Sequence, residues 1–212
     1  MERKLSIRMY VFAFVISLLV FVVGLVVGWQ LGFNSMNEMR TEMNNLASDS
    51  ASMELIGLVG NQTFACPIYG SEFSKLFNTT EQYGAKLQEL ENKNGKLDPN
   101  VMELKKDYAS MQLRNYLLQK KMDPICGTQH DVILYFYSNE NYSVQTDEGL
   151  QISALSRDVY TYNFDVNVDS SVVNGLKAGY NVSKTPTLIV NGIKYEGFKT
   201  TNEIAALFET AN

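Results

Sequence analysis

Two cysteines, Cys66 and Cys126, and one histidine, His130, are the whole stock of thiol and imidazole groups in this chain of 212 residues. Two thiols cannot make a four-thiolate zinc site, and a single imidazole weakens any other metal reading, so no metal and no cofactor is expected. A hydroxyl such as that of Ser143 stays unactivated without a base beside it, which argues against a Ser/His hydrolase. What remains is disulfide chemistry. Neither cysteine belongs to a C-x-x-C, and neither has a neighbouring cation to turn it into an exposed thiolate. Ser143 reads as a helix N-cap, and Asp147 and Glu148 as first-turn partners of a helix dipole rather than an acid/base pair. His130 reads as a boundary residue ahead of a strand.

The chain is 45% apolar and 11% aromatic, too rich for disorder, and its net charge of −5 argues against nucleic acid as a partner. From Tyr10 to Leu31 the clearly polar residues are Ser17 and Gln30. A helix of that length spans about 33 Å, the thickness of a bilayer core, and exceeds the apolar run of a cleaved signal peptide. Arg3, Lys4 and Arg8 precede it, so the positive-inside bias predicts a single-pass plasma-membrane anchor over 10–33 with residues 1–9 cytoplasmic. Everything after is then outside, where disulfides persist and where sequons at Asn61, Asn78, Asn141 and Asn181 are permitted.

Gly24, Gly28 and Gly32, four apart, leave one face of the span bare enough for a second helix. Met36, Met39, Met43, Leu46, Ser50 and Met53 continue at heptad spacing, predicting a coiled-coil-like stalk over 34–60. Methionine packs adaptably, so this seam serves a homodimer or lies on the helices that follow. Those helices form an antiparallel hairpin over 61–127. The first carries an apolar stripe from Ser71 as cap to Asn92, Asn94-Gly95 supplies the turn, and Asp98-Pro99 opens the second, which Asp123-Pro124 stops. Cys66 lies 29 residues before Gly95 and Cys126 lies 31 after it, so equal arms bring the two thiols to one level at the hairpin base. A structural bridge is the expected pairing. A redox-active pair, an intermolecular bond and free thiols are the alternatives.

Residues 128–212 alternate strands and helices. Strands are predicted at 131–138, 159–168, 187–190 and 193–196, and helices at 146–157, 172–180 and 201–210, as in an α/β domain with helices covering one mixed sheet. The segments DVILYFYS, YNVSKTPTLIVNG and YEGF resemble the thioredoxin superfamily. The resemblance implies a thioredoxin-like fold, with Pro186 as the cis-proline of a peptide-docking groove. It also implies that Thr185 offers backbone groups to an extended polypeptide. In redox members a C-x-x-C opens the helix after the first strand. Here its two positions fall on Tyr142 and Gln145, and no cysteine occurs after residue 126.

The fold expected is therefore an α/β thioredoxin-like C-terminal domain behind a transmembrane helix, a stalk and a helical hairpin. The function expected is a redox-inactive subunit that binds an extended polypeptide or a membrane-protein partner through Thr185, Pro186 and Tyr142. The competing reading is a thiol–disulfide oxidoreductase, or its accessory subunit, using Cys66 and Cys126 or a partner's thiols. A third is assembly through Gly24, Gly28, Gly32 and the methionine seam.

Overall fold

The computed structural model describes the backbone of residues 7–59, 62–138, 142–155 and 159–210, and side-chain surroundings for these except 7, 9, 29–35, 57, 59, 62 and 142–147. A mostly apolar run from Tyr10 to Leu31 opens helix α1 (Ile7–Val59), which continues through the polar residues that follow. Its stretch Tyr10–Gly28 is long and apolar enough to cross a membrane, and none of it is buried. A Cβ added at Gly24 or Gly28 would meet nothing within 4 Å, so that face is open. Gly32 also lies in α1, but its surroundings fall outside the described residues. The chain divides at residues 42 and 43 into two units.

In the second unit, Met43, Leu46, Ser50 and Met53 of α1 are buried. Arg114 donates to the Ala47 carbonyl at 3.0 Å. Of the two uses foreseen for the methionine seam, this part of it serves the second, lying on the chain's own helices.

Helix α2 (Gln62–Asn94) starts nine residues before the predicted cap at Ser71. Ala65, Tyr69 and Phe73 are buried four apart, so the apolar stripe begins upstream and carries the helix through Pro67. The Ser71 hydroxyl instead donates back to the carbonyls of Pro67 and Ile68. Gly95 takes the turn at φ 97°. Helix α3 (Pro99–Cys126) is capped by the Asp98 side chain, which accepts the N–H groups of Asn100 and Val101. It runs past Asp123-Pro124, the predicted stop, to a left-handed Gly127. Asp123 is held there by partners: its carboxylate takes Thr128 Oγ1 and His130 Nδ1, each at 2.9 Å. Cys66 and Cys126 form a disulfide across the hairpin base, with Cα atoms 5.4 Å apart.

The remaining elements are β1 (Asp131–Tyr137), α4 (Tyr142–Ser153), β2 (Val159–Asp165), α5 (Ser171–Gly179), β3 (Thr187–Val190), β4 (Ile193–Glu196) and α6 (Thr201–Thr210). They form one mixed sheet in the order β2-β1-β3-β4. β1 is parallel to β2 and antiparallel to β3, and β3 is antiparallel to β4. Helix α4 lies four residues upstream of its predicted place. β2 ends at Asp165, not residue 168, because that carboxylate is claimed twice: it accepts Asn167 N–H in a local turn and the Lys105 ammonium. One sheet face packs Leu134, Phe136, Tyr162, Phe164 and Ile189 with α3 and α5. The other packs Ile133, Tyr135, Leu188 and Val190 with α4 and α6.

Among the contacts that join the hairpin to the sheet are an aromatic cluster and a buried ion pair. Phe77 of α2 meets the rings of Tyr160 and Tyr162 edge-on at 4.6 and 5.8 Å. Lys105 of α3 places its ammonium between Glu91 of α2 and Asp165 of β2, 2.7 Å from the latter, with all three side chains almost fully out of water. A buried cation held by two carboxylates cannot be removed without leaving two anions facing each other. Lys105→Met should therefore lower unfolding stability by about 3–5 kcal/mol. Adding Glu91→Gln and Asp165→Asn should restore much of it, as read from guanidinium unfolding curves.

Candidate functional site

The β1–β3 register pairs Phe136 with Thr187, which sets Pro186 beside the C-terminal end of β1, where the chain leads into α4. The Thr185–Pro186 peptide is cis. Pro186 is buried and Thr185 half-buried. The Pro186 carbonyl accepts Gly197 N–H at 2.9 Å, whereas the Thr185 backbone has no bond to any described residue. Tyr142 and Gln145 lie in the opening turns of α4, together with Ser143, which is thus inside the helix rather than its cap. The side chains of Tyr142, Ser143, Gln145 and Asp147 lie outside the described residues.

The cysteines are elsewhere. Cys126 precedes β1, and seven strand residues separate that end from the Pro186 end, a rise of about 20 Å. The sequence-predicted residues therefore form two groups: Thr185 and Pro186 near the start of α4, and Cys66 with Cys126 at the opposite end. Among the described residues no group of three or more His, Cys, Asp or Glu could hold a metal ion.

A cleft that sequence reasoning missed opens between α2, α4 and the C-terminal half of β1. It holds about 410 Å³ and is lined by Glu81, Glu91, Tyr108, Tyr135, Tyr137 and Asn163, among others. Its floor is a polar chain. The Gln112 amide donates to the Tyr108 hydroxyl and, at 3.5 Å, to Glu81 Oε1, and Tyr108 also bonds with the Asn163 side chain. Burial raises the pKa of Tyr108, with Glu81 adding to the effect. Burial likewise raises Glu81, against the Gln112 bond. Gly84 makes the close approach possible, since a Cβ there would lie 2.6 Å from the Tyr108 hydroxyl. In the sequence these residues read as ordinary members of a helical stripe and a strand. What could have marked them is the tyrosine run at 135 and 137 facing the same side as Asn163.

Glu148 departs most from its sequence reading. It is fully buried in the second turn of α4, and its Oε1 accepts Lys199 N–H at 2.9 Å. Its Oε2 has no partner among the described residues. Desolvation pushes its pKa up to about 7, with the Lys199 bond and charge opposing. It is a buried brace between α4 and the turn before α6, not a dipole partner. No protein-family model, curated protein or solved structure matches this chain.

The Glu148 proton is held in the folded state up to a pH of about 7 but released near 4.5 in the unfolded chain. Stability contributed by that proton is complete below pH 4.5 and is lost as pH rises to 7. Glu148→Gln keeps the acceptor for Lys199 and removes the titration. Its thermal stability should match the wild type near pH 4.5 and exceed it by about 2 kcal/mol at pH 8, as measured by calorimetry across that range.

Proposed function

We propose that the protein is a single-pass membrane subunit whose C-terminal domain is thioredoxin-like, faces the extracytoplasmic side and binds extended polypeptide without redox chemistry. The observation that carries this reading is the separation of sulfur from the docking end. The two thiols are bonded to each other at the hairpin base, and Thr185 and Pro186 lie at the far end of β1. A thiol catalyst needs its sulfurs where the substrate docks. A binding module does not, and it benefits from a bridge that closes a 60-residue loop and restricts the unfolded chain.

The fold assignment draws support from the β-α-β-α-β-β-α order, the central position of β1, and Pro186 immediately before β3. The positive flank of the Tyr10–Gly28 helix supports a cytoplasmic N-terminus at the plasma membrane. The open Gly24–Gly28 face suits close approach by a second span, from a membrane-protein partner or a second copy. The Thr185 backbone, unbonded among the described residues, and the thiol-free α4 opening suit main-chain pairing with a peptide.

Insulin reduction and dithiol oxidation by the purified protein test the reading. Turnover should equal the buffer blank, and a Cys66→Ala, Cys126→Ala double variant should lose about 4 kcal/mol of unfolding stability. Catalysis that this double variant abolishes would overturn the proposal in favour of the oxidoreductase.

A further inference from the structure

β2 is an outermost strand of the sheet. Val166 N–H donates to the Tyr137 carbonyl at 2.8 Å, while Tyr137 stands in register with Asp165. In a parallel pair that pattern turns the backbone groups of Tyr160, Tyr162 and Phe164 toward β1 and those of Thr161 and Asn163 outward. No described residue bonds the Thr161 or Asn163 backbone. Edge strands are ordinarily blunted by lysine, proline, a bulge or a covering element. β4, the opposite edge, carries Lys194, but Val159–Asp165 contains neither lysine nor proline.

The bare edge is recessed. A second cavity of about 270 Å³ runs along it, lined by Phe77 of α2, Ile152 and Ser153 of α4, and Val159, Thr161 and Asn163 of β2. It shares Glu81, Gly149, Ser153 and Asn163 with the larger cleft, so the two make one groove flanking the strand. α2 and α4 flank the edge, a shape that favours a single strand over the flat edge of another folded sheet. Among the described residues the groove is also one-signed: Glu81 and Glu91 line it, and no described lysine or arginine does. Glu91 is neutralised by Lys105, whereas Glu81 has only the Gln112 amide as a described partner.

We infer that this groove is a second polypeptide site, in which an extended segment of another chain adds as a strand to β2 and sets a lysine or arginine against Glu81. Every described strand of this chain already has its place in the sheet, so the added strand comes from a partner. The recognition is main-chain pairing through Thr161 and Asn163, with register fixed by one cation. It rests on the polypeptide-binding reading above but uses a surface distinct from Thr185 and Pro186.

The test uses the full chain in lipid nanodiscs and fluorescein-labelled peptides of about seven residues, alternating threonine and valine around a central lysine. Anisotropy should show that replacing the lysine by glutamate weakens binding at least about tenfold. N-methylating the backbone along one peptide edge should cost as much, while methylating the other edge should change affinity less than about twofold. Glu81→Gln should shrink the lysine-over-glutamate preference below about threefold with sheet amide protection unchanged. Hydrogen exchange should slow at 159–165 when the lysine peptide is bound. Slowing confined to 183–187 overturns the inference and leaves the Thr185–Pro186 reading standing, whereas equal tolerance of methylation on both edges overturns main-chain pairing at either site. No binding of any peptide at millimolar concentration overturns both.

Discussion

The second unit depends on one shared ammonium group. Lys105 Nζ is the cation for Glu91 on one arm of the hairpin and for Asp165 at the end of β2, and it does so out of water. Coulomb attraction at that distance and burial is strong, but so is the cost of desolvating three charges, so the net gain in stability is small. Its larger effect is positional. The contact pins α2 and α3 to the strand end, and Phe77 against Tyr160 and Tyr162 fixes the rotation. With both in place α2 stands beside β2, and its Phe77 and Glu81 line the cavity along the strand. The groove is therefore a consequence of how hairpin and sheet are joined, not of either alone.

The same join explains an unusual core. α3 buries Lys105, Gln112, Asn115 and Gln119, a polar row where a hairpin helix would ordinarily place leucine. Asn115 donates to the Thr80 hydroxyl at 2.9 Å, and Gln119 accepts the Tyr162 hydroxyl at 2.7 Å. Three of these side chains keep a second polar atom unmatched among the described residues. An apolar row would pack as well in many registers, whereas paired amides fit in one. Specificity of the hairpin–sheet register, at some expense in stability, is what such a row supplies.

Much of this was legible beforehand, and the misses share a cause. The apolar N-terminal helix, the Asn94-Gly95 turn, the Asp98 cap, β3, β4 and α6 are set by local residues, and they fall where local rules place them. The cysteine pairing followed from arm lengths alone. The starts and stops that moved are those decided by distant groups. Asp123 is held by Thr128 and His130, and Asp165 is claimed by Lys105. Ala65 and Tyr69 extend a stripe that a serine seemed to cap. Glu148 looked like a helix-dipole residue because its sequence position says so. Its burial depends on a backbone N–H fifty-one residues away. The cleft was invisible for the same reason, since its walls come from five elements.

A bare strand edge is ordinarily a hazard, because any extended chain can template on it. Here the hazard is limited by shape rather than by charge on the strand itself. α2 and α4 rise on either side, so the outward groups of Thr161 and Asn163 sit in a recess with a carboxylate at its wall. A recess of that kind disfavours the flat edge of another folded sheet, and its carboxylate disfavours acidic segments. Blunting the edge with a lysine, as β4 does with Lys194, would have cost one side chain. Keeping it open, and building two helices to guard it, is the arrangement expected where strand addition is regulated by access rather than forbidden.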